Sequence, residues 1–131
     1  MIVVDASAVI ELLLGTERGA SWRKALSGGT ERLIAPELLD VDVLHVLRRY
    51  RRAGEVSNAR ARSALADLAD LPLHRYTHVP LLPRMWELRA NLTGYDAAYV
   101  ALAELLEAPL VTADEKLASA PGHRARIDVL S

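Results

Sequence analysis

Met1-Ile2-Val3-Val4-Asp5-Ala6-Ser7 opens the chain and sets its fold. Ile2, Val3 and Val4 form a short β-branched run, the mark of a strand buried on both faces. The run stops at a carboxylate, and Ala6-Ser7-Ala8-Val9-Ile10 then begins a helical pattern. Asp5 therefore stands where a parallel strand hands over to a helix. In open α/β sheets, ligands bind at that edge, outside the carboxyl ends of the strands.

Beyond this stretch, strand and helix signals alternate. Residues 7–14 read as a helix stopped by Gly15, and residues 17–26 as a second helix. A strand is expected at 32–35, then a long helix opened by Pro36-Glu37 and running to Arg52, with Gly54 beyond it. Ser57 is a good N-cap for a helix over 58–71. These two helices read as an antiparallel hairpin projecting from the sheet. Residues 73–77 alternate as a strand. Pro80 and Pro83 delimit the start of a helix carrying Met85, Trp86, Leu88 and Leu92, closed by Thr93-Gly94. Tyr95-Asp96 opens a helix to Leu106 that is apolar nearly all round and rich in Ala, hence buried. Strands at 110–112 and 127–130 flank a helical turn at 115–118. Right-handed crossovers then predict a three-layer α/β/α sandwich with a mostly parallel central sheet, one domain over 1–131.

Composition narrows the chemistry. The chain has 131 residues, 51% hydrophobic and 25% charged, and no cysteine, so disulfides and thiolate metal sites are excluded. No leader pattern opens it and no apolar run approaches the roughly 20 residues of a membrane span, so a cytoplasmic protein without membrane attachment is expected. The net charge is −1, so a polyanionic partner would have to be held by local basic patches or metal ions. Of the 16 basic residues only Lys24 and Lys116 are lysines. Arginine's planar fork suits phosphate, although a biased composition gives the same count.

Three acids share one setting. Asp5 ends the first strand, Asp114 follows the fourth, and Asp96 begins the buried helix. Each also has a structural role available, as a helix cap, a first-turn acid or a turn former. A fourth candidate is Asp42, at the margin of the long helix's apolar stripe between Leu38 and Val46. Asp40, between Leu44 and Leu47, is its competitor, and periodicity does not choose between them. Two carboxylates about 4 Å apart repel by roughly 4 kcal/mol at an effective dielectric near 20. A cluster of four needs protons or cations, and hard divalent ions with oxygen shells answer that need. Such a cluster points to phosphodiester chemistry.

Four blocks carry a family resemblance: Ile2 to Ser7, Ala35 to Arg49, Tyr95 to Ala103 and Leu110 to Leu117. In this order, and over nearly the whole chain, they resemble the PIN-domain nucleases, and in size the VapC-type toxins of bacterial toxin–antitoxin pairs. The resemblance implies an endoribonuclease dependent on Mg²⁺ or Mn²⁺, in which a metal-activated water attacks an RNA phosphodiester. It places the catalytic metal-site acids at Asp5, Asp42, Asp96 and Asp114. The family usually has Glu at the second position, and Asp42 is one methylene, ~1.5 Å, shorter. At that length either direct metal contact or a water bridge is open to Asp42. Ser7 and Thr112 match supporting hydroxyl positions. A cognate VapB-type antitoxin and a homodimer are also implied.

His45, Arg48, Arg49 and Arg52 follow Asp42 along its helix and are candidate RNA contacts; solvent exposure and the helix dipole also explain the arginines. His74, His78 and His123 have no metal-ligand spacing. Two other classes fit part of the pattern. A receiver-type phosphotransfer domain also has an acid pocket, but Asp5 stands alone and the 73–77 strand leads to His78. A binding-only module could keep the fold without catalysis, and the short Asp42 favours it.

Overall fold

The computed structural model describes residues 1–131. Its strands are β1 (Ile2–Val4), β2 (Leu33–Pro36), β3 (Leu73–Tyr76), β4 (Leu110–Thr112) and β5 (Ile127–Val129). They form one sheet in the order β3-β2-β1-β4-β5, every pair parallel. Val3 sits opposite Ile34 on one side and Leu110 on the other. Val3, Val4, Ile34 and Leu110 are wholly buried, which is why these short strands carry no polar face.

The helices are α1 (Ala6–Leu14), α2 (Glu17–Ser27), α3 (Leu39–Arg52), α4 (Asn58–Asp70), α5 (Leu82–Glu87), α6 (Gly94–Leu106) and α7 (Glu115–Ser119). Right-handed crossovers put α1 to α4 on one face of the sheet, and α5 and α6 on the other. Val9, Ile10 and Leu13 of α1 pack into the same core as Tyr99 to Ala103 of α6. The three layers expected from sequence are present. Gly15 closes α1 at φ 63°, in the left-handed region. Gly19 lets α2 lie against α1: a Cβ there would meet the Glu11 carbonyl oxygen at 1.9 Å.

Three expectations need correction. The long helix starts at Leu39, not at Pro36-Glu37. Pro36 pairs with Tyr76 at the end of β2, and the Glu37 N–H donates to the Tyr76 carbonyl, which prolongs the ladder. The helix after Pro83 ends at Glu87, short of Leu92. Residues 88–92 close into turns on the carbonyls of Arg84, Met85, Trp86 and Leu88. Thr93 does not end that segment; its hydroxyl accepts the Asp96 N–H and caps α6. Finally, the α3–α4 pair packs on α1 through Leu39, Val43, Leu47, Ala64 and Leu68, and only its tip stands clear.

The back of α6 is fixed by one ion pair. Glu104, whose side chain is 1% exposed, accepts from Arg84 Nε at 2.7 Å and Nη2 at 3.0 Å, and from the Arg124 N–H at 2.9 Å. Arg84 holds its carboxyl below the usual range, against the opposing effect of burial. That stability is complete above the unfolded pKa of about 4.3 and is lost as pH falls through the lower folded value. Glu104→Gln is expected to cost about 2–4 kcal/mol, because one partner of a buried pair is neutralised. Thermal melts at pH 7 and below pH 4 check this, the difference from wild type shrinking at the lower pH.

Candidate active site

The strand order reverses between β1 and β4, so a crevice opens at their carboxyl ends. Asp5 leaves β1 into this crevice and Thr112 ends β4 beside it. Asp5 is 5% exposed. Its Oδ1 accepts from Ser7 Oγ at 2.7 Å and from the Ala8 N–H at 3.0 Å. Its Oδ2 accepts from Thr112 Oγ1 at 2.5 Å. A carboxylate offers about four acceptor positions, so one remains, on Oδ2.

The two hydroxyls are themselves held. The Ala113 N–H donates to Ser7 Oγ at 2.9 Å, and the Asp114 N–H donates to Thr112 Oγ1 at 3.0 Å. Each hydroxyl therefore accepts from backbone and passes its own proton to Asp5. Ser7 and Thr112 thus both hydrogen-bond the Asp5 carboxylate. Asp5 also caps α1 through the Ala8 N–H, so its structural and site roles coexist. Burial raises its carboxyl above the usual range, opposed by the hydrogen bonds from Thr112, Ala8 and Ser7; the Asp42 charge adds to the rise.

Asp96 sits half-buried in the first turn of α6. Burial, followed by the charges of Asp5, Asp114 and Asp42, holds its carboxyl above the usual range. Asp114 is exposed and caps α7, its Oδ1 accepting from the Lys116 N–H at 2.9 Å. Asp42 lies in the first turn of α3, where its Oδ2 accepts from the Tyr99 hydroxyl at 2.8 Å. Asp40 points elsewhere: it forms a paired contact with Arg75 at 2.7 and 2.8 Å. The two acids that periodicity leaves open thus differ in their partners, Arg75 for Asp40 and Tyr99 for Asp42.

A cleft of about 420 Å³ is lined by Val41, Asp42, His45, Thr93, Tyr95 and Asp96. Of the four candidate acids it brings together Asp42 and Asp96; Asp5 and Asp114 do not line it. His45 reaches the cleft. Arg48, Arg49 and Arg52 are exposed along α3 and join no ion pair. Arg49, two turns beyond Asp42 on the same stripe, is the best aligned of the three. Tyr99 is the residue that sequence reasoning misses. A tyrosine on a helix apolar all round must find a partner for its hydroxyl, and that signal was available.

The donor set fits a hard divalent cation. Four carboxylates influence one another here, and none of the molecule's ion pairs includes any of them. No three acids or histidines converge closely enough to enclose an ion by themselves. Water must complete any shell, as suits Mg²⁺, which keeps several waters.

A family model described as PIN domain matches residues 2–122. The chain belongs to the PIN-domain family. Among relatives of this PIN domain, Ribonuclease VapC1 of Mycobacterium tuberculosis is 49% identical over 131 residues, covering 98% of this chain and 96% of its own. The solved structure of PAE2754 from Pyrobaculum aerophilum superposes with a TM-score of 0.69 at 27% identity, over 96% of this chain and 87% of that one. VapBC2 from Rickettsia felis, solved with a DNA fragment, gives 0.72 at 11% identity over the whole of both chains, a likeness of fold. The PIN domain is of the VapC type, and the receiver-type alternative falls away. No helix is long and apolar enough to cross a membrane.

Proposed function

We propose that this PIN domain is a Mg²⁺-dependent endoribonuclease, with Mn²⁺ as an alternative ion, and the toxin of a VapBC-type pair acting in the cytoplasm. One observation carries the reading: Asp42 and Asp96 line one cleft at the switch point of a parallel sheet, and neither they nor Asp5 and Asp114 join an ion pair. The ribonuclease name of the 49%-identical relative supports it. A toxin–antitoxin complex from Klebsiella pneumoniae has the same fold, which supports an antitoxin partner. Exposed Val41, Leu44 and Trp86 are apolar surface for that partner or for a second copy of the chain.

Asp5 Oδ2 and Asp96 would hold the cation, with water completing the shell and Asp114 at its rim. When bound, the cation supplies a lowered pKa for adjacent water and a positive charge for the phosphate. The rest falls to the chain. Ser7 and Thr112 fix Asp5, so its remaining acceptor position points one way. Asp42 Oδ1 has no hydrogen-bond partner and takes a proton from the attacking water. That water's oxygen bonds to phosphorus as the bond to the leaving oxygen breaks, and the leaving oxygen takes a proton from solvent water. His45, Arg48, Arg49 and Arg52 hold neighbouring phosphates.

This route yields a phosphomonoester and a free hydroxyl, whereas attack by the RNA 2′-hydroxyl yields a 2′,3′-cyclic phosphate. Purified protein incubated with RNA and Mg²⁺ is expected to give internal cuts without cyclic ends. Intact RNA would favour the binding-only module, and cyclic ends would overturn the mechanism. Asp40→Asn serves as the contrasting variant. Its ion pair with Arg75 is partly exposed, so the substitution is expected to cost about 1 kcal/mol or less and to leave cleavage at the wild-type rate. A fall in rate would mean that Asp40, not only Asp42, serves the site.

A further inference from the structure

Asp42, one methylene shorter than a glutamate, is held by a hydroxyl from another helix. Tyr99 lies one turn after Asp96 on α6, is 1% exposed, and places its hydroxyl 2.8 Å from Asp42 Oδ2. A phenol has one proton to give and an ionised carboxylate only accepts, so the bond has one direction. A hydroxyl thus holds this carboxylate as two hydroxyls hold Asp5, where Ser7 and Thr112 each donate to one carboxylate oxygen.

The ring cannot move far. It belongs to the same buried core as Val4, Leu39 and Val43, on a helix whose residues 97–103 are all buried. Rigid hydroxyls behind a site carboxylate set its direction, and their loss typically costs 10–100-fold in affinity or activity. A glutamate at position 42 would carry its carboxylate ~1.5 Å further, toward the phenol oxygen.

We propose that the Tyr99 hydroxyl is the positioning group for Asp42. By holding Oδ2 it turns Oδ1 to the cleft, so the shorter acid acts through water instead of ligating the ion. The kinetic part rests on the nuclease reading above; the binding part does not.

Tyr99→Phe and the double variant Tyr99→Phe/Asp42→Glu test this, with Mn²⁺ binding followed by calorimetry alongside RNA cleavage. Tyr99→Phe keeps the ring in the core, so its Tm is expected to fall by only a few degrees. Its kcat is expected to drop about 10–100-fold with KM little changed, and Mn²⁺ affinity about tenfold. In the double variant the longer acid enters the room the hydroxyl left, and both quantities recover most of the loss. Wild-type kcat and Mn²⁺ affinity in Tyr99→Phe would overturn the proposal, as would a loss that Asp42→Glu does not repair. Should wild type bind Mn²⁺ but cut no RNA, the nuclease reading fails while the Mn²⁺ comparison still decides the role of Tyr99.

Discussion

Asp5→Asn is expected to lower RNA cleavage by at least about 10³-fold, roughly 4 kcal/mol of transition-state stabilisation. The fold should survive it. Asparagine caps a helix nearly as well as aspartate, so the Ala8 N–H keeps its acceptor. The new amide group faces Thr112 Oγ1, which must then accept instead of donate. Thr112 has an outlet for its own proton, since Ser7 Oγ lies 3.2 Å away. What the substitution removes is the negative charge and the remaining acceptor position on Oδ2, the features that would hold a cation. Asp5→Ala is the harsher change. It strands the Ala8 N–H and both hydroxyls and should cost about 1–2 kcal/mol for the cap alone. Cleavage rate and melting temperature measured on both variants separate the two roles of Asp5. A near-wild-type rate in Asp5→Asn would remove Asp5 from the site.

Asp96→Asn should show the opposite of the usual sign in stability. Burial and three neighbouring negative charges oppose ionisation of Asp96. A carboxyl raised in the folded state contributes stability that is whole below its unfolded pKa and is lost as pH rises through the folded value. At neutral pH the ionised group is therefore a burden on the metal-free protein, and Asp96→Asn relieves it. The metal-free variant is expected to melt at or above the wild-type temperature. In wild type, Mg²⁺ at about a hundred times its Kd adds about 2.7 kcal/mol, or roughly 8–13 °C for a domain of this size. That increment should vanish in Asp96→Asn. Melts with and without Mg²⁺ check both halves. An undiminished Mg²⁺ shift in the variant would place the cation elsewhere.

The fold was legible because its signals are local and redundant. Ile2-Val3-Val4 is too short and too apolar for anything but a buried strand. The Ala-rich run after Asp96 admits only a buried helix. The places of Asp5, Asp96 and Asp114 at junctions between elements were legible for the same reason. What was hidden depended on partners distant in sequence. Asp40 and Asp42 differ only in what lies across from them, Arg75 of β3 for one and Tyr99 of α6 for the other. Tyr99 looked like one more core residue, because a helical pattern records that a side chain is buried and not what its hydroxyl touches. The late start of α3 was hidden too. Only the pairing of Pro36 with Tyr76 reveals that β2 continues where a proline reads as a helix start.

The central claim is that the acid crevice works only when its charge is offset by a divalent cation. Removing metal from the wild-type protein tests it most directly. The protein, freed of any bound antitoxin, is treated with chelator and RNA cleavage is followed before and after Mg²⁺ or Mn²⁺ is returned. Cleavage should stop with chelator and resume with either ion, and Asp5→Asn should stay silent throughout. Cleavage that continues undiminished in chelator would contradict the account.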